Sequence, residues 1–275
     1  MLKKDFWFDL PHELIAQEPA DPRDSARLLC VKRGSDEICH QVFHDLPDLL
    51  NAGDLLVVND SKVLPARLVG EKAGTGAVSE ILLLRQGKGD VWGGLAKPGK
   101  RLKAGTEVIF GDGSLRAVIR ETMEDGNKLV EFFYDTQTLY EKLDEFGKMP
   151  LPPYITRQLE DQSQYQTVYA KELGSAAAPT AGLHFTPELM DRLRQKGVDF
   201  AEVTLHVGLG TFRPVKEDDI ADHQMHSEWY CVSEETARKI NETKARGGRV
   251  ICVGTTSCRT LESVAAKYGE IRACS

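Results

Sequence analysis

The strongest constraint on the fold is a change of sequence pattern between about Leu68 and Phe146. Short apolar stretches alternate there with Gly-rich turns, such as Gly-Asp-Gly at 111–113 and Asp-Gly-Asn at 125–127. Regularly spaced short strands with turn signals are typical of a small all-β unit, such as a barrel. The stretches are Glu80–Leu84, Val91–Ala96, Glu107–Phe110, Leu115–Ile119 and Leu129–Tyr134. The pattern therefore predicts a small β-barrel domain at residues 68–146, followed by a stiff, proline-rich boundary at 149–154.

The flanking residues, 1–67 and 147–275, have the mixed pattern of an α/β domain. Asp54–Asp60 is a continuous apolar run that closes on polar residues, which is typical of a strand covered on both faces. Thr186 and Ser233 stand at predicted helix N-caps, and glycines follow both predicted helices. We therefore predict a discontinuous α/β main domain, residues 1–67 plus 147–275, with the β domain inserted in it.

Two further strands lead into polar segments. Apolar and polar residues alternate from Ala201 to Val207, which predicts a strand that carries His206 to its end. Val250–Val253 predicts a buried strand that runs into Gly-Thr-Thr-Ser at 254–257. The hydroxyls of that segment are expected to cap a helix that begins near Arg259.

Net charge, cysteine content and the length of the apolar runs exclude several classes of protein. Lys plus Arg number 35 against 42 for Asp plus Glu, and the net charge of −7 weighs against a protein that coats nucleic acid non-specifically. The six cysteines form no CxxC pair, which favours reduced thiols over a disulfide framework. No apolar run approaches the length of a membrane span, and the N-terminus lacks the apolar core of a signal peptide. We therefore predict a cytoplasmic protein.

The segment 179–186, Pro-Thr-Ala-Gly-Leu-His-Phe-Thr, places Thr180 and His184 just before a helix. Backbone N–H groups at a helix start attract anions, and histidine titrates in the range that suits proton transfer near neutral pH. The alternative is a loop histidine that only caps or packs. From the residues alone this alternative is favoured, because a single histidine is weak support for a site.

The segment 204–215 combines a histidine, two glycines and an arginine after a strand. His206 is followed by Gly208 and Gly210, which permit close approach of the backbone to a ligand, and then by Arg213. Open α/β sheets bind ligands at such strand ends. The Gly-x-Gly pair lacks the third glycine of a dinucleotide fingerprint and by itself is consistent with a simple turn.

Residues 223–228 raise the question of a metal. His223 and His226 are three residues apart and Glu228 follows, which resembles part of a zinc site. Because no complete motif such as HExxH is present, we favour a polar loop or a substrate contact and predict no metal.

Three other polar clusters are candidates for binding. Thr255, Thr256 and Arg259 follow a strand and open a helix, where hydroxyls and N–H groups can hold a carboxylate or ribose; ordinary capping is the alternative. Asp60 lies in a polar cluster, 59–67, at another strand end. A basic turn of the β unit suits contact with an RNA backbone, although such runs are often only solvated surface. We define the basic turn as Lys97, Lys100, Arg101 and Lys103.

Taken together and in this order, these segments resemble the S-adenosylmethionine:tRNA ribosyltransferase-isomerase family of queuosine biosynthesis. The matching segments are 59–67, 149–154, 179–186, 204–215, 225–228 and 254–262. The resemblance implies a barrel-like α/β main domain with an inserted small β-barrel. Members of that family continue with an Asn-Phe-His-Leu-Pro segment and a terminus resembling Phe-Gly-Asp-Ala-Met. The resemblance therefore implies a C-terminally shortened chain with weakened or absent activity.

The resemblance also implies a reaction. The ribosyl part of S-adenosylmethionine moves to 7-aminomethyl-7-deazaguanine at the tRNA wobble position and is rearranged to epoxyqueuosine, with release of adenine and methionine. S-adenosylmethionine is a co-substrate, no cofactor is implied, and the partner is a tRNA with a GUN-type anticodon, bound by a monomer.

Roles for the candidate residues follow as hypotheses. His184 or His206 acts as general base or acid, and the choice between them stays open. Glu228 and Asp60 are hydrogen-bonding partners of cationic or hydroxyl groups in the catalytic set. The other candidates are expected to bind substrate, with Arg213 and the 255–259 turn on anionic or ribose groups, and the basic turn is expected to bind tRNA. The substrate-binding candidates are Thr180, Gly208, Gly210, Arg213, Thr255, Thr256 and Arg259.

Two rival functions use the same residues differently. A metal-dependent hydrolase would be built on His223, His226 and Glu228. An RNA-binding module without catalysis would use the β unit alone, but it leaves the polar strand ends of the α/β domain unexplained.

Overall fold

The computed structural model describes residues 1–124, 126–208, 211 and 215–275, and the chain divides into two units. The first comprises Met1–Lys62 and Pro153–Ser275, and the second comprises Val63–Pro152. The predicted limits of the insertion, 68 and 146, lie five residues inside its start and six inside its end. The difference at the start arises because Val63, Leu64 and Ala66 are buried, and the Ala66 carbonyl accepts a hydrogen bond from the Leu83 N–H at 2.9 Å.

Strands and helices are numbered in chain order. The strands are β1 (Arg27–Val31), β2 (Ile38–Val42), β3 (Leu55–Asn59), β4 (Ser61–Val63), β5 (Arg67–Lys72), β6 (Ala77–Gln86), β7 (Val91–Lys97), β8 (Glu107–Phe110), β9 (Leu115–Thr122), β10 (Lys128–Tyr134), β11 (Gly147–Lys148), β12 (Glu172–Ser175), β13 (Asp199–Leu205), β14 (Tyr230–Val232) and β15 (Val250–Cys252). The α-helices are α1 (Leu46–Leu49), α2 (Leu139–Phe146), α3 (Pro187–Gln195), α4 (Glu234–Ala245) and α5 (Gly254–Tyr268).

The second unit is a closed antiparallel barrel of six strands. Its order is β5-β6-β7-β10-β9-β8, and β8 pairs back onto β5. Closure requires a glycine at Gly70, because a Cβ there would lie 2.4 Å from the Ile109 carbonyl oxygen and 2.6 Å from the Phe110 ring. The predicted all-β unit is confirmed. The apolar stretches of the sequence did not predict β5, whose run is interrupted by Gly70, or α2.

The first unit is built on a four-stranded sheet of order β14-β13-β3-β15. Strands β13, β3 and β15 are parallel, and β14 is antiparallel to β13. Alternate residues of β3 face two different clusters: Leu56 packs with residues of α3, whereas Leu55 packs with residues of α4 and α5. The mixed α/β class and the doubly covered strand at Asp54–Asp60 are therefore confirmed. The pairings of the described strands leave this sheet open.

The predicted starts of α3 and α4 are confirmed by their caps. The Thr186 hydroxyl accepts the Leu189 N–H at 3.1 Å, and the Ser233 hydroxyl accepts the Thr236 N–H at 3.1 Å. Each cap satisfies a backbone donor that has no partner inside the helix.

Two predictions about β15 and α5 are wrong. Helix α5 begins at Gly254 and not near Arg259, and the hydroxyl of Ser257 donates back to the Val253 carbonyl at 3.2 Å instead of capping. Strand β15 is only half-buried, because it lies at the edge of the sheet.

Among the described residues, no helix is long and apolar enough to cross a membrane.

Candidate active site

Polar residues follow the carboxyl ends of three neighbouring strands. Because β13, β3 and β15 are parallel, their carboxyl ends meet at one edge of the sheet, where Val203 pairs with Asn59 and Cys252 pairs with Val57. Asp60 and Ser61 follow β3, His206 follows β13, and Gly254 opens α5 after β15. We call this edge of the first unit the strand-end edge.

Asn59 joins two of these strand ends. Its fully buried side-chain amide donates to the Leu205 carbonyl at 3.0 Å, and its oxygen accepts the N–H groups of Leu205 at 3.0 Å and Ser61 at 3.2 Å. The amide thereby fixes the backbone just before His206 and at Ser61. The sequence placed Asn59 in a polar cluster but gave no sign of this role.

His206 is the most constrained histidine of the edge. Its Nδ1 is hydrogen-bonded to the Ser61 hydroxyl at 2.8 Å, and its ring stacks on the Trp229 indole with centroids 5.0 Å apart and planes 23° apart. A Cβ on Gly174 would lie 2.8 Å from Nε2, so only glycine lets the chain pass there. Burial lowers the pKa of His206, and the negative charge of Glu172 opposes that shift. The lowered pKa favours a neutral imidazole, which can accept a proton.

Asp60 carries a buried carboxyl and precedes Ser61, the residue that is hydrogen-bonded to His206. It accepts a hydrogen bond from the Thr204 hydroxyl at 2.7 Å. Burial raises its pKa, and the charges of Glu202 and Glu172 act in the same direction, whereas the Thr204 hydrogen bond and the Lys171 charge oppose it. A carboxyl with a raised pKa in a polar cluster is a typical feature of functional sites.

Asp60→Asn is expected to gain stability relative to the wild type as the pH rises from 4 to 7. A carboxyl whose folded pKa lies above its ordinary value of 3.8 is costly to ionise in the folded state. That cost is absent below the ordinary pKa, grows as the pH rises towards the folded pKa, and is complete above it. Asparagine never ionises and can still accept the Thr204 hydrogen bond.

The measurement is the difference in Tm between Asp60→Asn and the wild type across this pH range. Asp36→Asn, which removes an exposed carboxylate, is the matched control. A difference that stays constant, or moves in favour of the wild type, would contradict the raised pKa of Asp60.

Glu228 forms hydrogen bonds with two other candidate residues, Gly208 and Arg259. Its side chain is only 5% exposed, and its oxygens accept hydrogen bonds from the Gly208 N–H at 2.9 Å, from His226 Nε2 at 3.0 Å and from the Arg259 guanidinium at 2.5 Å. Arg259 also donates to the His226 carbonyl. The predicted residues Gly208, Glu228 and Arg259 therefore form one connected group.

In the sequence, His226 was a candidate metal ligand, with a polar loop or a substrate contact as the favoured alternative. In the structure it binds Glu228, whereas His223 Nδ1 is hydrogen-bonded to Glu217 at 2.9 Å. Within the described ranges, no three His, Cys, Asp or Glu side chains are grouped so that they could hold a metal ion.

The segment that carries His184 and Thr180 is a short 3-10 helix, Thr180–His184. It lies against the start of α5, because a Cβ on Gly254 would be 3.1 Å from the Ala181 Cβ. The His184 ring contacts the Phe43 ring at a centroid distance of 5.2 Å, and its nitrogens make no hydrogen bond to the described residues. The structure thus does not connect His184 to the hydrogen bonds around His206.

The remaining candidates are divided between the two units. Thr255 is exposed, whereas the Thr256 hydroxyl is buried and has no partner among the described residues. Gly210 and Arg213 lie outside the described residues.

The basic turn belongs to the second unit, where all four of its side chains are exposed. Lys97 lies 3.7 Å from Glu80, but in the described part of the chain the other three form no ion pair. Leu102, which is buried in the middle of the turn, anchors it.

Comparison with known proteins gives one family. Residues 3–274 match the family described as queuosine biosynthesis protein. The chain is 59% identical over 272 residues to a protein of Desulfitobacterium hafniense, covering 98% of this chain and 79% of that one. It is 54% identical over 272 residues to a protein of Clostridioides difficile, covering 99% and 80%. Both relatives are named S-adenosylmethionine:tRNA ribosyltransferase-isomerase.

The chain is also similar to the crystal structure of S-adenosylmethionine tRNA ribosyltransferase from Thermotoga maritima, with which it shares 38% sequence identity. The match covers 95% of this chain and 73% of that one, with a TM-score of 0.45.

Proposed function

This chain belongs to the queuosine biosynthesis protein family, and from that premise we propose that it is an S-adenosylmethionine:tRNA ribosyltransferase-isomerase with its active site at the strand-end edge. It transfers the ribosyl part of S-adenosylmethionine to 7-aminomethyl-7-deazaguanine at the tRNA wobble position and isomerises it to epoxyqueuosine. Adenine and methionine leave. The observation that supports the proposal most strongly is the 59% identity to a relative of that name. The match covers 98% of the chain and therefore includes the residues of the strand-end edge.

His206 is the general base in this proposal. The positive sulfonium of S-adenosylmethionine acidifies the neighbouring 5′ carbon, so that a well-placed neutral base can remove a proton there. His206 suits this step because burial lowers its pKa and because the Ser61 hydroxyl and the Trp229 ring fix its orientation. His184 has no such support from polar neighbours among the described residues, and we assign it no proton transfer.

Glu228 has a positioning role. Its oxygens already accept three hydrogen bonds, which leaves it poorly suited to take a proton from the substrate. The guanidinium of Arg259 is likewise engaged by Glu228 and by the His226 carbonyl. Together the pair holds the segment 226–229 and the Gly208 N–H beside His206. Binding of the methionine carboxylate is left to the first turn of α5, where Thr255 is exposed.

The remaining partners follow from the reaction. S-adenosylmethionine is consumed as a co-substrate, and the reaction needs no resident cofactor. The acceptor is a tRNA with a GUN-type anticodon, and the protein acts as a monomer in the cytoplasm.

The direct test is a reaction with S-adenosylmethionine labelled in the ribose and a tRNA that carries the 7-aminomethyl-7-deazaguanine precursor. Mass spectrometry of the wobble nucleoside should show the ribosyl-derived mass increase, and free adenine should appear in equal amount. The same reaction with methyl-labelled S-adenosylmethionine is the control and should leave the tRNA unlabelled. Methyl label in the tRNA, or adenine without ribosyl transfer, would contradict the proposal.

The basic turn is expected to supply phosphate contacts to the tRNA. Changing Lys100, Arg101 and Lys103 to alanine should weaken tRNA binding at low salt and lower the slope of log K against log salt by about 2–3, since each neutralised phosphate contributes roughly 0.7–0.9. These three cations are exposed and form no ion pair with the described residues, so they are free to release counterions.

A matched control is available on the same barrel. Arg116 and Arg120 already form ion pairs with Glu107 and Glu131. Changing these two arginines to alanine should leave the salt dependence unchanged. An equal loss of slope per removed charge in the two sets of variants would mean that net charge, and not the basic turn, governs binding.

A further inference from the structure

Trp229 combines a fixed position with an unusually exposed ring. Trp229 is 52% exposed, although it follows Glu228, whose side chain is only 5% exposed. One face of the indole is covered by the His206 imidazole at 5.0 Å. The exposed half therefore belongs to the opposite face and the outer edge of the ring.

The backbone on both sides of Trp229 is held in place. Its carbonyl accepts the His206 N–H at 3.0 Å, and the next residue, Tyr230, pairs with Leu205 at the end of the sheet. On the N-terminal side, Glu228 is fixed by Gly208, His226 and Arg259. A large aromatic ring that is held rigidly and left open on one face loses little entropy when another ring stacks on it.

We propose that the open face of Trp229 is a stacking platform that positions a purine-type ring at the active site. The inference rests on the proposed function, in which two such rings enter the site: the adenine of S-adenosylmethionine and the 7-deazaguanine of the tRNA. Both are flat, and an indole stacks on either without hydrogen-bond readout. The bound purine ring would be the third member of a stack that begins with His206 and continues with Trp229. Trp229 would thereby fix the distance between the purine and the His206 imidazole.

The chain offers a matched control. Trp7 is 76% exposed and makes no ring contact with the described residues, whereas Trp92 is 3% exposed. Trp7→Leu therefore applies the same chemical change to an exposed indole that has no ring contact in the described part of the chain. Trp229→Phe keeps a smaller stacking surface and is the conservative variant.

Binding is measured with two probes in Trp229→Leu, Trp229→Phe and Trp7→Leu. The first probe is S-adenosylmethionine, whose Kd is measured by isothermal titration calorimetry in the wild type and in every variant. Its effect on indole fluorescence is followed separately in Trp7→Phe with Trp229 intact, where Trp229 is the solvent-accessible indole and Trp92 is buried. The second is tRNA with and without the 7-aminomethyl-7-deazaguanine base. Circular dichroism verifies that each variant is folded.

If the platform holds adenine, S-adenosylmethionine quenches Trp229 fluorescence, and Trp229→Leu raises its Kd by roughly 10- to 100-fold while binding of both tRNAs is unchanged. If it holds the deazaguanine, the affinity advantage of the modified over the unmodified tRNA disappears in Trp229→Leu. In either case Trp229→Phe retains part of the affinity, and the loss appears in KM more than in kcat.

The inference is overturned if a folded Trp229→Leu binds both probes within about twofold of the wild type, or if Trp7→Leu causes an equal loss. Failure of the proposed function is distinguishable, because the binding measurements need no turnover. Ribosyl transfer at unchanged KM in Trp229→Leu would contradict the stacking role of Trp229 and support the proposed reaction. Quenching of Trp229 by S-adenosylmethionine without any transfer would contradict the proposed reaction and support the stacking role.

Discussion

His206→Ala is expected to lower the rate of ribosyl transfer by about 10²- to 10⁴-fold, the range typical of losing a general base, with tRNA affinity unchanged. The reason is the position of His206 at the end of β13, with Nδ1 hydrogen-bonded to Ser61 and the ring held against Trp229. His184→Ala is the matched comparison, and we expect it to retain most of the rate. The rate of adenine release in a single turnover measures the effect. If His184→Ala lost more of this rate than His206→Ala, the general base would be His184 and not His206.

The pH profile tests the same assignment. Burial lowers the pKa of His206 below its ordinary value of 6.5, so the imidazole is neutral and active at pH 6.5 and above. As the pH falls through the folded pKa, the ring becomes protonated and kcat/KM should fall with it. The acid limb is therefore expected below pH 6.5, and an acid limb clearly above that value would contradict the assignment.

Arg259→Ala is expected to lower the free energy of unfolding by about 3 kcal/mol and to remove activity with it. The side chain of Glu228 is 5% exposed, and removal of its arginine partner leaves a buried carboxylate with only the Gly208 N–H and His226 to stabilise its charge. The change also frees segment 226–229, which carries the indole that packs on His206. Chemical denaturation measures the stability, and adenine release measures the activity.

Two further variants serve as its controls. Arg238→Ala removes an exposed ion pair with Glu242, four residues on in α4, and should cost less than about 0.5 kcal/mol. The double variant Arg259→Leu with Glu228→Gln should be more stable than Arg259→Ala alone, because it leaves no unpaired charge. Equal losses in Arg259→Ala and Arg238→Ala would mean that burial of Glu228 is unimportant.

Sequence reasoning succeeded where a local pattern has one physical meaning. The apolar run from Asp54 to Asp60 is covered on both faces, as such runs in parallel sheets are. Thr186 and Ser233 cap the helices that their positions predict. Because parallel strands end at one edge, Asp60 after β3 and His206 after β13 lie at the same edge of the sheet.

Contacts between distant segments could not be predicted in this way. The Glu228–Arg259 pair joins a loop to a helix 31 residues later, and no spacing rule connects them. The stack of His206 on Trp229 depends on how β14 pairs with β13. Helix α5 was misplaced because its Thr and Ser residues, which usually cap, instead donate to carbonyls one turn back.

The amide of Asn59 has a consequence for how this site can diversify. It joins the backbone at Ser61 to the backbone before His206, so the spacing between Ser61 and the His206 base is set inside the sheet and exists before any substrate arrives. Surface loops and the barrel's exposed turns can then change sequence and length without disturbing that spacing. Recognition of different RNA acceptors is thereby separable from proton transfer, and redesign of the acceptor can begin from the periphery with the chemistry intact.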